Sequence, residues 1–122
     1  MAVAVSTDVF RTRMADWLMT SVLDAVMAFG SGGVDGQGTV ISPAPAQMEL
    51  NSQVGELPLY GVKRDGDTVV TVTGRISQGV FPGEAISEAG LKVGGEFYAF
   101  RNFAPKIFED DEFFDVTIEI KF

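Results

Sequence analysis

From Phe114 to Phe122 apolar and polar side chains alternate without a break. Phe114, Val116, Ile118, Ile120 and Phe122 fall on one face, and Phe113, Asp115, Thr117, Glu119 and Lys121 on the other. Strand side chains point to opposite faces with a period of two, so this is a strand with one buried and one wet side. Residues 67–76 repeat the pattern, with Val70, Val72, Gly74 and Ile76 against Val69, Thr71, Thr73 and Arg75. Asp65-Gly66 joins them to residues 57–64, and an Asp-Gly pair between β-rich runs predicts a hairpin turn with both residues at positive φ. Gly94-Gly95 predicts a second hairpin, between residues 86–93 and 96–103. In the later of these runs Phe97, Ala99 and Phe103 oppose Glu96, Tyr98, Phe100 and Asn102. Aromatic side chains on both faces imply that one side meets the core and the other a neighbour.

The first quarter follows a different period. Ser6 and Thr7 suit a helix cap, and Asp8 suits the first turn. Phe10, Met14, Trp17, Leu18, Ser21, Val22 and Ala25 then recur at helical spacing, predicting a helix within residues 7–27. The run AVMAF at 25–29 either continues that helix or opens a short strand. Five glycines in GSGGVDGQGT predict a surface loop, SPAPA an extended stretch, and QMELNSQV a helical turn with Met48 and Leu50 inward. The reading is one domain over 1–122, comprising an arm (1–6), a helix (7–27) and a β-rich core (57–122). Its class is α+β: one N-terminal amphipathic helix packed on a mainly antiparallel sheet or sandwich. Trp17 anchors the helix, and Leu18, Val70, Val72, Val116, Ile118 and Ile120 complete the expected core.

Composition narrows the chemistry. The chain has 122 residues, no Cys and no His, which removes thiolate chemistry, disulfides and the commonest general base. A net charge of −8 would repel a nucleic acid backbone, so no nucleic acid partner is expected. No segment has the length of a membrane span and the N-terminal stretch lacks a signal-peptide pattern, so no membrane association is expected either. The glycine loop lacks the Gly-Lys-Ser/Thr ending of a phosphate loop. The acidic run Glu109, Asp110, Asp111, Glu112 lacks the spacing of a calcium loop and reads as a solvated patch, and Asp65-Gly66-Asp67-Thr68 is explained by its turn. No cofactor, no metal and no catalysis are expected.

The order of local motifs carries a resemblance. An N-terminal helix leads to AFGSGG, with glycines at Gly30, Gly32 and Gly33, and a Pro-containing stretch leads to QMELNSQVGE, with Leu50 and Glu56. Ile86, Glu88, Gly90 and Leu91 then form an I-x-E-x-G-L hairpin, and Phe103-Ala104-Pro105-Lys106 a crossing toward the terminal strand. In that order, over nearly the whole chain, the sequence resembles the N-terminal attachment domain of tailed-bacteriophage tail fibres, of the tail-collar or baseplate-attached fibre type. Members of that family continue into a shaft and a receptor-binding tip absent from these 122 residues, so the resemblance implies attachment and not receptor recognition. Glu56 and Glu88 are the carboxylates to follow, as surface or capping groups or as a buried, paired role.

The resemblance implies a non-enzymatic virion structural protein that anchors fibres or bridges neighbouring subunits in the tail, baseplate or neck. Its expected partners are other copies of itself, as a trimer or ring, and other virion proteins. The alternatives are a capsid or neck decoration protein and a small carbohydrate-binding β-module using Trp17, Tyr60 and Tyr98. The apolar arm and the two-sided aromatic strand nominate Val3, Val5, Phe97, Tyr98, Phe100 and Phe103 as the assembly surface.

Overall fold

A computed structural model describes residues 5–77, 79–107 and 113–122. Thr7 opens the helix α1 (Asp8–Ser21) as its N-cap, its Oγ1 accepting from the Phe10 N–H at 3.1 Å. The end of α1 follows from its hydroxyls. Thr20 and Ser21 turn back to the carbonyls of Asp16 and Trp17, and a 3-10 turn (Val22–Asp24) leads straight into a strand. The helix therefore stops short of the expected residue 27: Val26 and Met27 belong to β1 (Val26–Gly30).

Six further strands follow: β2 (Gln53–Pro58), β3 (Gly61–Gly66), β4 (Val69–Ile76), β5 (Ala85–Val93), β6 (Glu96–Ile107) and β7 (Phe114–Lys121). They form two antiparallel sheets, one ordered β2-β1-β5-β6 and the other β3-β4-β7. The architecture is α+β and mostly β, a two-sheet sandwich with α1 packed against it. The expected β-rich core of 57–122 thus begins too late, because β1 lies second in its sheet and β2 at its edge. Strand β1 is buried on both faces, so its sequence shows no alternation to mark it as a strand.

Between the sheets lie Met27, Phe29, Ala89 and Leu91 from one side and Val70, Val72, Ile76, Val116 and Ile118 from the other. Each fully buried side chain of this size contributes about 1.5–3 kcal/mol relative to exposure. Ile120 packs against this cluster while partly exposed. The expected facing of β4 and β7 holds in full, since Val70 stands opposite Ile120 and Val72 opposite Ile118.

The helical segment presents the expected face only in part. Leu18, Val22 and Ala25 are buried as expected, together with Ala15, whereas Phe10 and Trp17 are 56% and 49% exposed. Arg64 of β3 fixes this orientation. Its guanidinium donates to Asp16 Oδ1 at 2.7 Å and to the carbonyls of Gly66 and Asp67, tying the helix to the β3–β4 turn. The same grip explains the turn itself. Asp65 bulges out of register and the chain reverses at Asp67-Thr68, two residues beyond the expected Asp65-Gly66 turn, with neither Asp65 nor Gly66 at positive φ. Gly94 and Gly95 do reverse β5 into β6 at φ values of 58° and 86°, as their pairing requires.

Residues 31–52 form no helical turn: Leu50 is buried but Met48 is fully outside the core. The acidic run 109–112 and Val3 lie outside the described residues.

Candidate assembly interface

Strands β6 and β7 sit side by side, one at the edge of each sheet. Among the described residues β6 pairs only with β5, and β7 only with β4. The Phe122 N–H donates to the Thr68 carbonyl, so the even-numbered residues of β7 point their backbone groups at β4. Asp115, Thr117, Glu119 and Lys121 therefore turn their N–H and C=O groups the other way, toward β6. One side chain bridges the gap: the Arg101 guanidinium donates to the Thr117 carbonyl. On either side of that bridge the seam opens into depressions of about 390 Å³, between Phe100 and Ile118, and about 360 Å³, between Phe103 and Val116.

A bulge shapes the end of the seam nearest the helix. Leu91 pairs with Ala99 but Lys92 pairs with Phe97, which leaves Tyr98 as an extra residue in β6. Phe97 and Phe100 consequently share one face, stacked with centroids 5.1 Å apart over Gly90, and not the opposite faces expected from simple alternation. Tyr98 swings aside and stacks on Trp17 at 5.8 Å. With Leu18, Ile120 and Phe122 these two rings line an apolar groove of about 260 Å³. Trp17 is thus a groove wall and not the buried anchor expected of it, because the orientation set by Arg64 turns it off the core.

The nominated residues fall as follows. Tyr98 is exposed; Phe97, Phe100 and Phe103 are half-buried, with Phe103 tilted against Phe114 at 5.6 Å. Phe103 lines the seam, Phe100 reaches it, and Phe97 lies over the outer face of the four-stranded sheet. Val5 is 83% exposed just ahead of α1.

One feature went unnamed in the sequence reading, and a second centres on Glu88, whose role was left open between a surface or capping group and a buried, paired one. Tyr60 and Phe113, both 60% exposed, flank Arg75 at 3.7 and 5.5 Å, while Asp115 accepts from the same guanidinium at 2.6 and 2.9 Å. The guanidinium holds the Asp115 carboxyl below the usual carboxylate range, and Asp115 in turn raises Arg75. The second is a clasp. Glu88 is fully buried, and its carboxylate accepts from the N–H groups of Gly32 at 2.7 Å and of Asn51 and Ser52 at 2.8 Å. Beside it Ser87 Oγ accepts from the Gly33 N–H at 2.9 Å. Both ends of residues 31–52 are thereby pinned to β5, so the first glycines of the predicted surface loop are packed backbone. A Cβ on Gly33 would fall 1.9 Å from the Ser87 carbonyl oxygen. Glu56, by contrast, makes a surface pair with Lys92 at 3.3 Å.

Among the described residues the one fully buried carboxylate, Glu88, is committed to three backbone donors, Asp65 is engaged by Thr71 and Lys63, and Asp115 by Arg75. Among the described residues no three acidic side chains converge as a metal-binding group. The described surface offers aromatic faces, an apolar groove and two strand edges. No family model matches the sequence, and no curated protein matches it.

Proposed function

We propose that the protein is a non-enzymatic structural component of a tailed-bacteriophage virion, an adaptor that anchors fibres or bridges neighbouring subunits in the tail, baseplate or neck. The motif order from the glycine segment to the Phe103–Lys106 crossing supports the biological setting. The observation that carries the assembly role is the β6–β7 seam, where two strand edges and half-exposed rings lie together on one side of the domain. Exposed edges recruit further strands unless they are guarded, and contiguous apolar surface of this kind marks protein contact sites. The partners are other copies, as a trimer or ring, and neighbouring virion proteins. A decoration protein of the capsid or neck would use the same surface.

A glycan platform needs aromatic faces open to a sugar ring. Trp17 and Tyr98 stack on each other, and the Arg75 guanidinium occupies one face of the Tyr60 ring, which counts against that alternative.

The test is light scattering across micromolar concentrations together with the gene neighbourhood. The expected outcome is a concentration-dependent oligomer encoded beside baseplate or fibre genes. A strict monomer encoded among unrelated metabolic genes would overturn the reading, and a position beside the major capsid gene would replace attachment with decoration.

A further inference from the structure

We propose that the pocket beside Arg75 is a binding site for a singly charged carboxylate carrying an apolar body, with the guanidinium holding the charge and the rings of Tyr60 and Phe113 the body. Three segments build it. Between Pro58 and Gly61 the chain leaves β2 for β3 and so crosses from one sheet to the other, and there the Tyr60 N–H donates to the Thr73 carbonyl at 2.9 Å. That bond fixes Tyr60 beside the end of β4. Arg75 and Asp115 stand directly opposite each other on β4 and β7, and Phe113 immediately precedes β7. Leu57, Leu59 and Val80 complete a hollow of about 350 Å³, a size suited to a small ligand.

Asp115 takes one edge of the guanidinium, with Nε at 2.6 Å and Nη2 at 2.9 Å. A guanidinium carries five N–H donors in a planar fork, so Nη1 and the second Nη2 hydrogen lie outside that pair and match a further carboxylate. The Arg75 Cζ is 3.7 Å from the centre of the Tyr60 ring and 5.5 Å from that of Phe113. The side chain is therefore held in place before a ligand arrives, which spares the ordering cost of binding. Arg64, by contrast, spends its fork on Asp16 and three backbone carbonyls, which marks it as a structural residue.

The walls select the ligand. Leu57, Leu59 and Val80 offer no polar side-chain atom, so the body they enclose is apolar. Tyr60 and Phe113 are both 60% exposed beside a cation, a combination of residue types that dominates contact sites. Asp115 repels any second anion on its arginine, and repels a doubly charged phosphate more than a carboxylate. A carboxylate also fits the fork with two parallel hydrogen bonds. A free small acid and the last residue of a polypeptide present this same chemistry, and the experiment separates them. The site goes beyond the assembly reading and does not rest on it.

The experiment titrates the isotope-labelled chain with N-acetylphenylalanine and, separately, with its neutral amide, which has the same body without the charge. The expected result is saturable amide shifts centred on Tyr60, Arg75 and Phe113, with the acid bound at least about tenfold tighter than the amide. Arg75→Lys keeps the charge and removes the fork, so it should weaken the acid about tenfold and leave the amide unchanged. Tyr60→Ala should weaken both ligands while the folded circular dichroism spectrum persists. Should Arg75→Lys fail to fold, the comparison of acid and amide on the parent chain still decides. A short peptide ending in phenylalanine with a free carboxylate is the second probe. Tighter binding than the acid assigns the site to a polypeptide terminus, and weaker binding assigns it to a free acid. Equal binding of acid and amide, shifts centred elsewhere, or no saturation at millimolar concentration overturns the proposal. That failure leaves the assembly reading untouched, and a monomer in light scattering leaves this site untouched.

Discussion

Gly74 faces Met27 across the sandwich at a distance that leaves no room for a side chain. A Cβ there would stand 2.6 Å from Met27 Cγ and 2.9 Å from Phe29 Cζ. The two sheets therefore make a close approach at one glycine, with the largest core side chain inserted beside it. Gly74→Ala should cost about 1–3 kcal/mol by overpacking, read as a lower denaturant midpoint with unchanged slope. A neutral effect would mean that the sheets are farther apart than described.

Ile118 makes the complementary case. It is buried opposite Val72, and Ile118→Asp places a charge with no partner between the sheets. The expected loss is about 4 kcal/mol or more, enough to leave the domain unfolded or insoluble. A soluble variant with the parent melting temperature would show that β7 faces the other way.

Glu88→Ala removes the acceptor for three backbone N–H groups at once. The expected destabilisation is about 3 kcal/mol, accompanied by faster amide exchange at Gly32, Asn51 and Ser52. Glu88→Gln keeps one carbonyl oxygen in place and should recover part of the loss. If exchange at those three amides is unchanged, the clasp does not hold the loop.

Trp17→Ala separates packing from assembly. Half-exposed, the indole should cost about 1 kcal/mol of stability, well below the roughly 3–5 kcal/mol of a buried aromatic. Because Trp17 and Tyr98 wall the groove at the end of the seam, the same change should weaken self-association measurably, seen as a shift of the oligomer midpoint to higher concentration. Loss of stability as large as that of a core truncation would restore Trp17 to the core.

The Arg75–Asp115 pair predicts a pH dependence. The Asp115 carboxyl is lowered in the folded chain from its ordinary value of 3.8, so its contribution is full above that pH and is lost as pH falls through the folded value. Asp115→Asn should therefore narrow the difference in melting temperature between pH 7 and pH 3. Exposure to solvent keeps the effect modest. An identical acid profile in the two proteins would show that the pair contributes nothing.

What the sequence disclosed depended on how many faces of an element are covered. β4 and β7 each bury one side, and their alternation predicted both the strands and their inward residues. β1 is covered on both sides, so AVMAF carries no period with which to choose between helix and strand. Elsewhere a tertiary contact displaced a sound local signal. Arg64 holds the carbonyls of Gly66 and Asp67 and moves the turn beyond Asp65-Gly66, and the same residue turns Trp17 outward. The extra residue at Tyr98 breaks the alternation that would have set Phe97 against Phe100. The aromatic character of the surface was therefore legible, and the side on which each ring lies was not. Glu88 shows the limit most plainly: the sequence marked it as a carboxylate to follow but left surface and buried roles open, and the loop that covers it decides between them.

The clasp grips peptide groups and ignores side chains. What it demands of residues 31–52 is small residues where the chain grazes β5 and amides in the right places. Everything between Val34 and Glu49 is left unconstrained by it. Such a span can change its exposed chemistry from one relative to the next while staying moored to the same spot, which makes it the natural place for this scaffold to acquire a new acquaintance without refolding.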